Sequence, residues 1–174
     1  MIVLAYLADH PDAIPTLAGW HHTEWGALVR DWTLDAAEAE LRSHTARRAL
    51  STTLVALSNG VLVGSASLLE EDMPDFPPFS PWLASVFVEP GYRGLGIGGR
   101  LVAGVIEEAR ALGVERLFLF TTEARGWYEA RGWRVLQEIP CQGRPGVIMH
   151  LQLGVVPYSL QAGPAAAARN QGEP

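Results

Sequence analysis

The stretch VEPGYRGLGIGGR, Val88 to Arg100, constrains the fold of this chain more than any other. It holds Gly91, Gly94, Gly96, Gly98 and Gly99 together with Arg93 and Arg100, so it is not a core segment. WLASVFV (Trp82–Val88), a strand-like apolar run, leads into it. After it, Leu101, Val102, Val105, Ile106, Ala109 and Leu112 recur at helical spacing. Strand, glycine loop and helix together make a phosphate-binding arrangement. The first turn of a helix leaves N–H groups unpaired and carries partial positive charge. Glycines let anionic oxygens approach those groups closely. The backbone N–H groups of Leu95, Gly96, Ile97, Gly98, Gly99 and Arg100 are therefore candidate donors, and Gly94 clears the approach. The Arg93 and Arg100 side chains are candidate sources of charge.

Three other readings of the stretch compete. Gly94 to Gly99 matches the dinucleotide fingerprint G-x-G-x-x-G. Against it, Glu89 to Arg93 separate the strand from the first glycine, where that fingerprint has a tight turn. Only one further helix-linked strand follows, not a second mononucleotide half. A P-loop would end in Gly-Lys-Ser/Thr, and Gly99-Arg100-Leu101 does not. Glycines that merely turn the chain and cap a helix form the third reading, but fewer would suffice for that.

The rest of the chain supplies the frame. IVLAYL (Ile2–Leu7) reads as a buried strand, followed by a helix started by Pro11. Thr33 reads as the N-cap of a helix through LDAAEAELRSHTARRA, with Arg47 and Arg48 late enough to complement its dipole. Thr52–Leu57 and Val61–Leu69 flank Asn59-Gly60, a hairpin signal. EDMPDFPPFSP is an irregular proline-rich loop. ERLFLFTT (Glu115–Thr122) is a strand, EARGWYEARG a short helix closed by Gly132, and WRVLQEI with GVIMHLQL a final antiparallel pair. That order predicts an α/β (α+β) domain, a mixed sheet with helices on its faces. The expected division is one domain over residues 1–153 and a poorly packed tail over 154–174.

Hydrophobic residues make up 48% of the 174 and charged residues 18%, enough for one sizeable core. The net charge of −6 argues against a nucleic-acid or anionic-membrane partner, both of which ask for a basic patch. The lone Cys141 allows neither an internal disulfide nor a thiolate zinc site, which fits a reducing cytoplasm. MIVLAYLADH lacks the basic region of a secretory leader, and no apolar run approaches a membrane span. The expectation is a cytoplasmic protein without a metal.

The run VFVEPGYRGLGIGGRLV resembles the acetyl-coenzyme A motif of the GNAT superfamily of N-acetyltransferases. That motif reads Arg/Gln-x-x-Gly-x-Gly/Ala, matched by Arg93, Gly96 and Gly98, after a strand ending like Val88 and Pro90. TTEARGWYEARGWRV resembles a later segment of the same family through Ala124, Trp127, Tyr128, Gly132 and Trp133, with Thr121 where asparagine is frequent. The motif matches lie within about residues 82–135, and the order of elements extends the resemblance over most of 1–153. The resemblance implies a mostly antiparallel twisted sheet of about six to seven strands with about four helices. It also implies acetyl-coenzyme A as donor and direct attack by an amine. A homodimer is an expected assembly, since the family is often dimeric.

Roles follow residue by residue from that resemblance. Backbone groups of Val86, Phe87 and Val88 would hold the pantetheine arm like an added strand, and a strand N–H would support the thioester oxygen. Thr121 and Tyr128 complete the expected cofactor-binding set. Tyr128 matches the family's general acid, since a phenol stays protonated at neutral pH and can still donate. No single base stands out. Glu24 and Asp72 are candidates, among His21, His22, Glu70, Glu71 and Asp75. Trp20, His21, Glu24, Trp25, Phe76 and Phe79 are candidates for the acceptor pocket, since aromatics with acids suit a cation with an apolar body. The same residues also suit a dimer contact or a lid. A coenzyme A-binding sensor or scaffold, and O-acetyl or longer-acyl transfer, remain open beside N-acetylation of a small amine or peptide.

Overall fold

The computed structural model describes residues 1–29, 31–76, 78–141 and 143–154. Of the expected 154–174 tail, only Gly154 falls among them. Seven strands form one sheet: β1 (Ile2–Tyr6), β2 (Thr52–Ser58), β3 (Val61–Leu69), β4 (Trp82–Val88), β5 (Arg116–Thr121), β6 (Arg134–Cys141) and β7 (Arg144–Gln152). Their order across the sheet is β1-β2-β3-β4-β5-β7-β6, and every neighbouring pair is antiparallel except β4 with β5. Four α-helices flank it: α1 (Ile14–Trp25), α2 (Leu34–Ser43), α3 (Ile97–Ala111) and α4 (Arg125–Glu129).

The two-residue period of the strands sorts the core. Leu54, Ala56, Val63 and Ala66 pack with Leu101, Val102 and Val105 of α3. Val55, between Leu54 and Ala56, points the other way and packs with Leu17 of α1 and Leu41 of α2. The β2–β3 hairpin turns on Asn59 (φ 49°) and Gly60 (φ 83°), both left-handed as a tight two-residue turn requires.

Two departures from the sequence expectation have visible physical causes. Thr33 does cap α2, its hydroxyl accepting the Ala36 N–H at 3.2 Å. The helix nevertheless stops at Ser43, so Arg47 and Arg48 lie beyond it and cannot complement its dipole. The Ser43 and Thr45 hydroxyls turn back onto the carbonyls of Glu40 (2.7 Å) and Arg42 (3.1 Å), competing with the helical pattern. Thr45 then forms an antiparallel bridge with Thr52, which draws the chain into the sheet.

The second departure opens the site. Ser65 pairs with Phe87 and Ser67 with Ala84, so Ser85 and Val86 together face only Ala66. Ser85 sits at φ 50° inside this bulge, which re-aims the end of β4. β4 and β5 pair only at Trp82 and Phe118 and part beyond that point. The glycine loop, α3 and α4 lie around the gap.

Candidate active site

The loop is shaped before any ligand enters. Glu89 caps a 3₁₀ turn over Pro90–Tyr92, its Oε2 accepting the Gly91 N–H at 2.9 Å. Gly94 (φ 80°) and Gly96 (φ 76°) are both left-handed, a conformation that costs an L-residue about 1–2 kcal/mol. Gly96 is the N-cap of α3 and has no side chain to satisfy the first turn, which also lacks an acidic residue. The Arg100 N–H is consumed by the Gly96 carbonyl (3.2 Å), which leaves Ile97, Gly98 and Gly99 as the open donors of the helix end.

These donors face a cleft of about 540 Å³, within the range of small-molecule and cofactor sites. Val86, Phe87 and Val88 form one wall and Ala124, Trp127, Tyr128 and Arg131 the other, with Glu24 of α1 at the rim. Two expected cofactor residues contribute differently. The Thr121 hydroxyl accepts the Ala124 N–H at 3.0 Å, fixing the chain at the entry to α4. Leu95 is largely exposed and does not line the cleft. A second hollow of about 420 Å³ lies beyond Thr121, bounded by Thr122, Arg125 and Glu138, and includes neither the α3 N-terminus nor Tyr128.

The two arginines of the loop are engaged by other groups, Arg93 at the edge of the cleft and Arg100 outside it. Arg93 donates through Nε to the Val88 carbonyl (2.9 Å), lies 5.7 Å from the Phe87 ring centre, and places Nη2 3.7 Å from Glu24. Arg100 donates to the Ile2 carbonyl of β1 at 2.9 Å. Arg131, which sequence reasoning passed over, stacks on Trp127 with its guanidinium carbon 3.6 Å from the ring centre. Its position four residues after Trp127, in the turn that closes α4, was the available signal.

Tyr128 is 7% exposed and packs edge-on against Trp127 (4.9 Å) and Trp133 (5.9 Å). Burial pushes its phenol up to about 12, against an opposing pull from Arg131. It therefore stays protonated throughout the physiological range. Its hydroxyl forms no hydrogen bond among the described residues and is not one of their sealed polar atoms, so its proton is free to be donated.

On the α1 side of β4, Trp20 stacks on Phe87 (5.2 Å) and Trp25 meets it edge-on (6.3 Å). His21 lies edge-on to Trp25 (5.1 Å), is 3% exposed, and hydrogen-bonds Ser65 Oγ through Nε2 at 2.9 Å. Burial, with a smaller contribution from His44, lowers it to about 4. His22 instead contacts the Trp32 carbonyl at 3.1 Å. Phe76 and Phe79 are not brought to this group. Phe79 stacks on Phe118 (5.1 Å), and both belong to a separate cluster around Trp82 and Ile148. Asp72 is set among neighbouring groups yet open to solvent. Desolvation, then the Glu40 carboxylate, pushes it up to about 6.

Comparison with known proteins bears on the fold and the family. An amino-acid acetyltransferase of Aeromonas salmonicida is 37% identical over 82 residues, which are 45% of this chain and 17% of the relative. The chain thus spans less than a fifth of the length of the first curated relatives it matches. A Salmonella typhimurium structure described as an acetyltransferase with its cofactor acetyl-CoA superposes with TM-score 0.69 at 23% identity, covering 96% of this chain and 99% of that one. An aminoglycoside 6′-N-acetyltransferase complexed with coenzyme A also gives 0.69, at 15% identity over 89% of this chain and 99% of that one. The model of the acetyltransferase (GNAT) family matches residues 15–133. This chain belongs to that family of acyltransferases.

Proposed function

We propose that the protein transfers an acetyl group from acetyl-coenzyme A to a primary amine by direct attack within a ternary complex. One observation carries the reading: the open N–H groups of Ile97–Gly99 and the unpartnered Tyr128 hydroxyl share one cleft beside the bulged end of β4. The donor's pyrophosphate would lie at the helix N-terminus and its extended arm along Val86–Val88. The bulge takes Val86 out of the regular ladder with β3, so its backbone is available to a ligand. A strand N–H there would stabilise the oxygen on which charge develops during attack. Tyr128 would give its proton to the departing thiolate.

Two carboxylates are candidate bases: Glu24, which lines the cleft, and Asp72, which does not line it but is raised to about 6. A carboxylate poised near 6 is largely ionised at neutral pH and still basic enough to accept a proton. Glu24 is held beside Arg93. The acceptor is proposed to enter from the α1 side, where Trp20, Trp25 and acidic groups suit an ammonium on an apolar body. The catalytic unit is proposed to be residues 1–153. A free amino acid is the first acceptor to try, because the curated relatives are amino-acid acetyltransferases.

The test is thiol release from acetyl-coenzyme A across a panel of amino acids, small amines and peptides. The sequence contains no lysine, so the enzyme adds little amine background of its own. Amine-dependent release that saturates with one class of acceptor supports the proposal. Release that ignores every amine, or appears only with alcohols, overturns it.

A further inference from the structure

We infer that Arg131 supplies the charged part of the phosphate site, binding the pyrophosphate of the donor together with the N-terminus of α3. The inference rests on the donor reading above. Its starting point is where the three nearby cations go. Arg93 is committed to Val88, Phe87 and Glu24, and Arg100 to β1. Among the contacts of the described residues, neither guanidinium is directed at Ile97–Gly99, although Arg93 borders the same cleft. Arg131 is so directed: its Nη2 and Nε lie 3.9 and 4.0 Å from the position a Cβ on Gly99 would take.

The side chain is also held ready. Its Nη1 donates to the Trp127 carbonyl at 2.9 Å while the guanidinium rests flat on the Trp127 indole. The indole in turn reaches within 3.9 Å of the Cβ position of Gly98. Tryptophan thus joins the arginine to the two glycines of the helix end. A guanidinium fixed by one bond and a ring face keeps its remaining N–H groups free for an anion, with little rotamer entropy left to lose. Arg131 has no carboxylate within ion-pair distance among the described residues, whereas Arg93 across the cleft pairs with Glu24 and Arg125 on α4 with Glu129 and Glu138. A positive charge without a counterion, beside an uncapped helix N-terminus, is a place for phosphate.

Coenzyme A carries phosphate in two places, and the contact with the α3 end selects the pyrophosphate over the 3′-phosphate. Calorimetric titration of the full chain with coenzyme A, 3′-dephospho-coenzyme A and pantetheine separates them. Arg131→Gln should weaken both nucleotide ligands by at least about tenfold and leave pantetheine unchanged, with Arg131→Lys recovering part of the loss. Equal affinity of wild type and Arg131→Gln overturns the inference. A loss confined to coenzyme A overturns the pyrophosphate assignment, and an equal loss for pantetheine shows a merely structural role. If wild type binds no coenzyme A, the donor reading itself fails. A thermal melt of each variant identifies loss of fold, in which case Arg131→Lys decides alone: no weakening of either nucleotide relative to pantetheine counts against the inference.

Discussion

Alanine at position 98 should make the protein more stable and a worse binder at once. Gly98 lies in the first turn of α3 with ordinary helical geometry. A Cβ there would sit 3.7 Å from Val88 Cγ2 and 3.9 Å from Trp127 Cζ2, both comfortable contacts. Nothing has to move, so the change recovers the backbone entropy that glycine loses on folding. The gain is about 0.5–1 kcal/mol at most. For a chain of this size that is a rise of about 2–4 °C per kcal/mol in melting temperature. The same methyl group stands between Val88 and Trp127 on the surface that an incoming phosphate must approach. Acetyl-coenzyme A affinity should fall at least tenfold, about 1.4 kcal/mol. Gly96→Ala is the contrast. Space around its Cβ is open, but φ is 76°, so it should cost about 1–2 kcal/mol of stability through the backbone. Differential scanning calorimetry and titration calorimetry on the two variants give both quantities. Wild-type affinity in a stable Gly98→Ala variant would refute the reasoning that bare backbone here serves phosphate approach.

Tyr128→Phe should reduce kcat by roughly 10²–10⁴-fold while acetyl-coenzyme A affinity and melting temperature stay the same, because the lost hydroxyl has no partner among the described residues. Stopped-time thiol release measures this, and undiminished turnover would remove Tyr128 as the acid. His21 titrates near 4 when folded and near 6.5 when unfolded, so the unfolded chain takes up the proton first. Its contribution is complete above pH 6.5 and is lost as pH falls toward 4, by up to about 3 kcal/mol. Urea melts of wild type and His21→Gln between pH 7.5 and 4.5 should show a shallower decline in the variant; parallel declines would contradict the burial argument. Asp72→Asn should abolish an acidic limb of kcat near pH 6. A limb that persists in the variant would pass the base role to another group.

The features legible in the sequence were those set locally. The glycine loop, the Asn59-Gly60 hairpin and the Thr33 cap each follow from residues within a few positions of one another, where backbone preference decides. What escaped depended on distant partners. α2 ends early because Thr45 meets Thr52 across the sheet. Asp72 is raised partly by Glu40, which belongs to a different element. Arg93 and Arg100 looked like phosphate ligands because they border the glycines, yet their directions are set by the Val88 and Ile2 carbonyls. Phe76 and Phe79 were candidates for the acceptor pocket; Phe79 stacks on Phe118, and both lie against the Trp82 cluster rather than with Trp20 and Trp25. Nothing in a serine announces the left-handed bulge at Ser85, although it shapes the end of β4 that the site uses.

If the proposal holds, the cleft between β4, α3 and α4 binds acetyl-coenzyme A. Titration calorimetry of the wild-type chain with acetyl-coenzyme A tests it directly, with NAD as the comparison ligand. Saturable binding of one acetyl-coenzyme A per chain, with no heat from NAD, is the predicted result. No binding of acetyl-coenzyme A, or equal binding of NAD, would contradict the account.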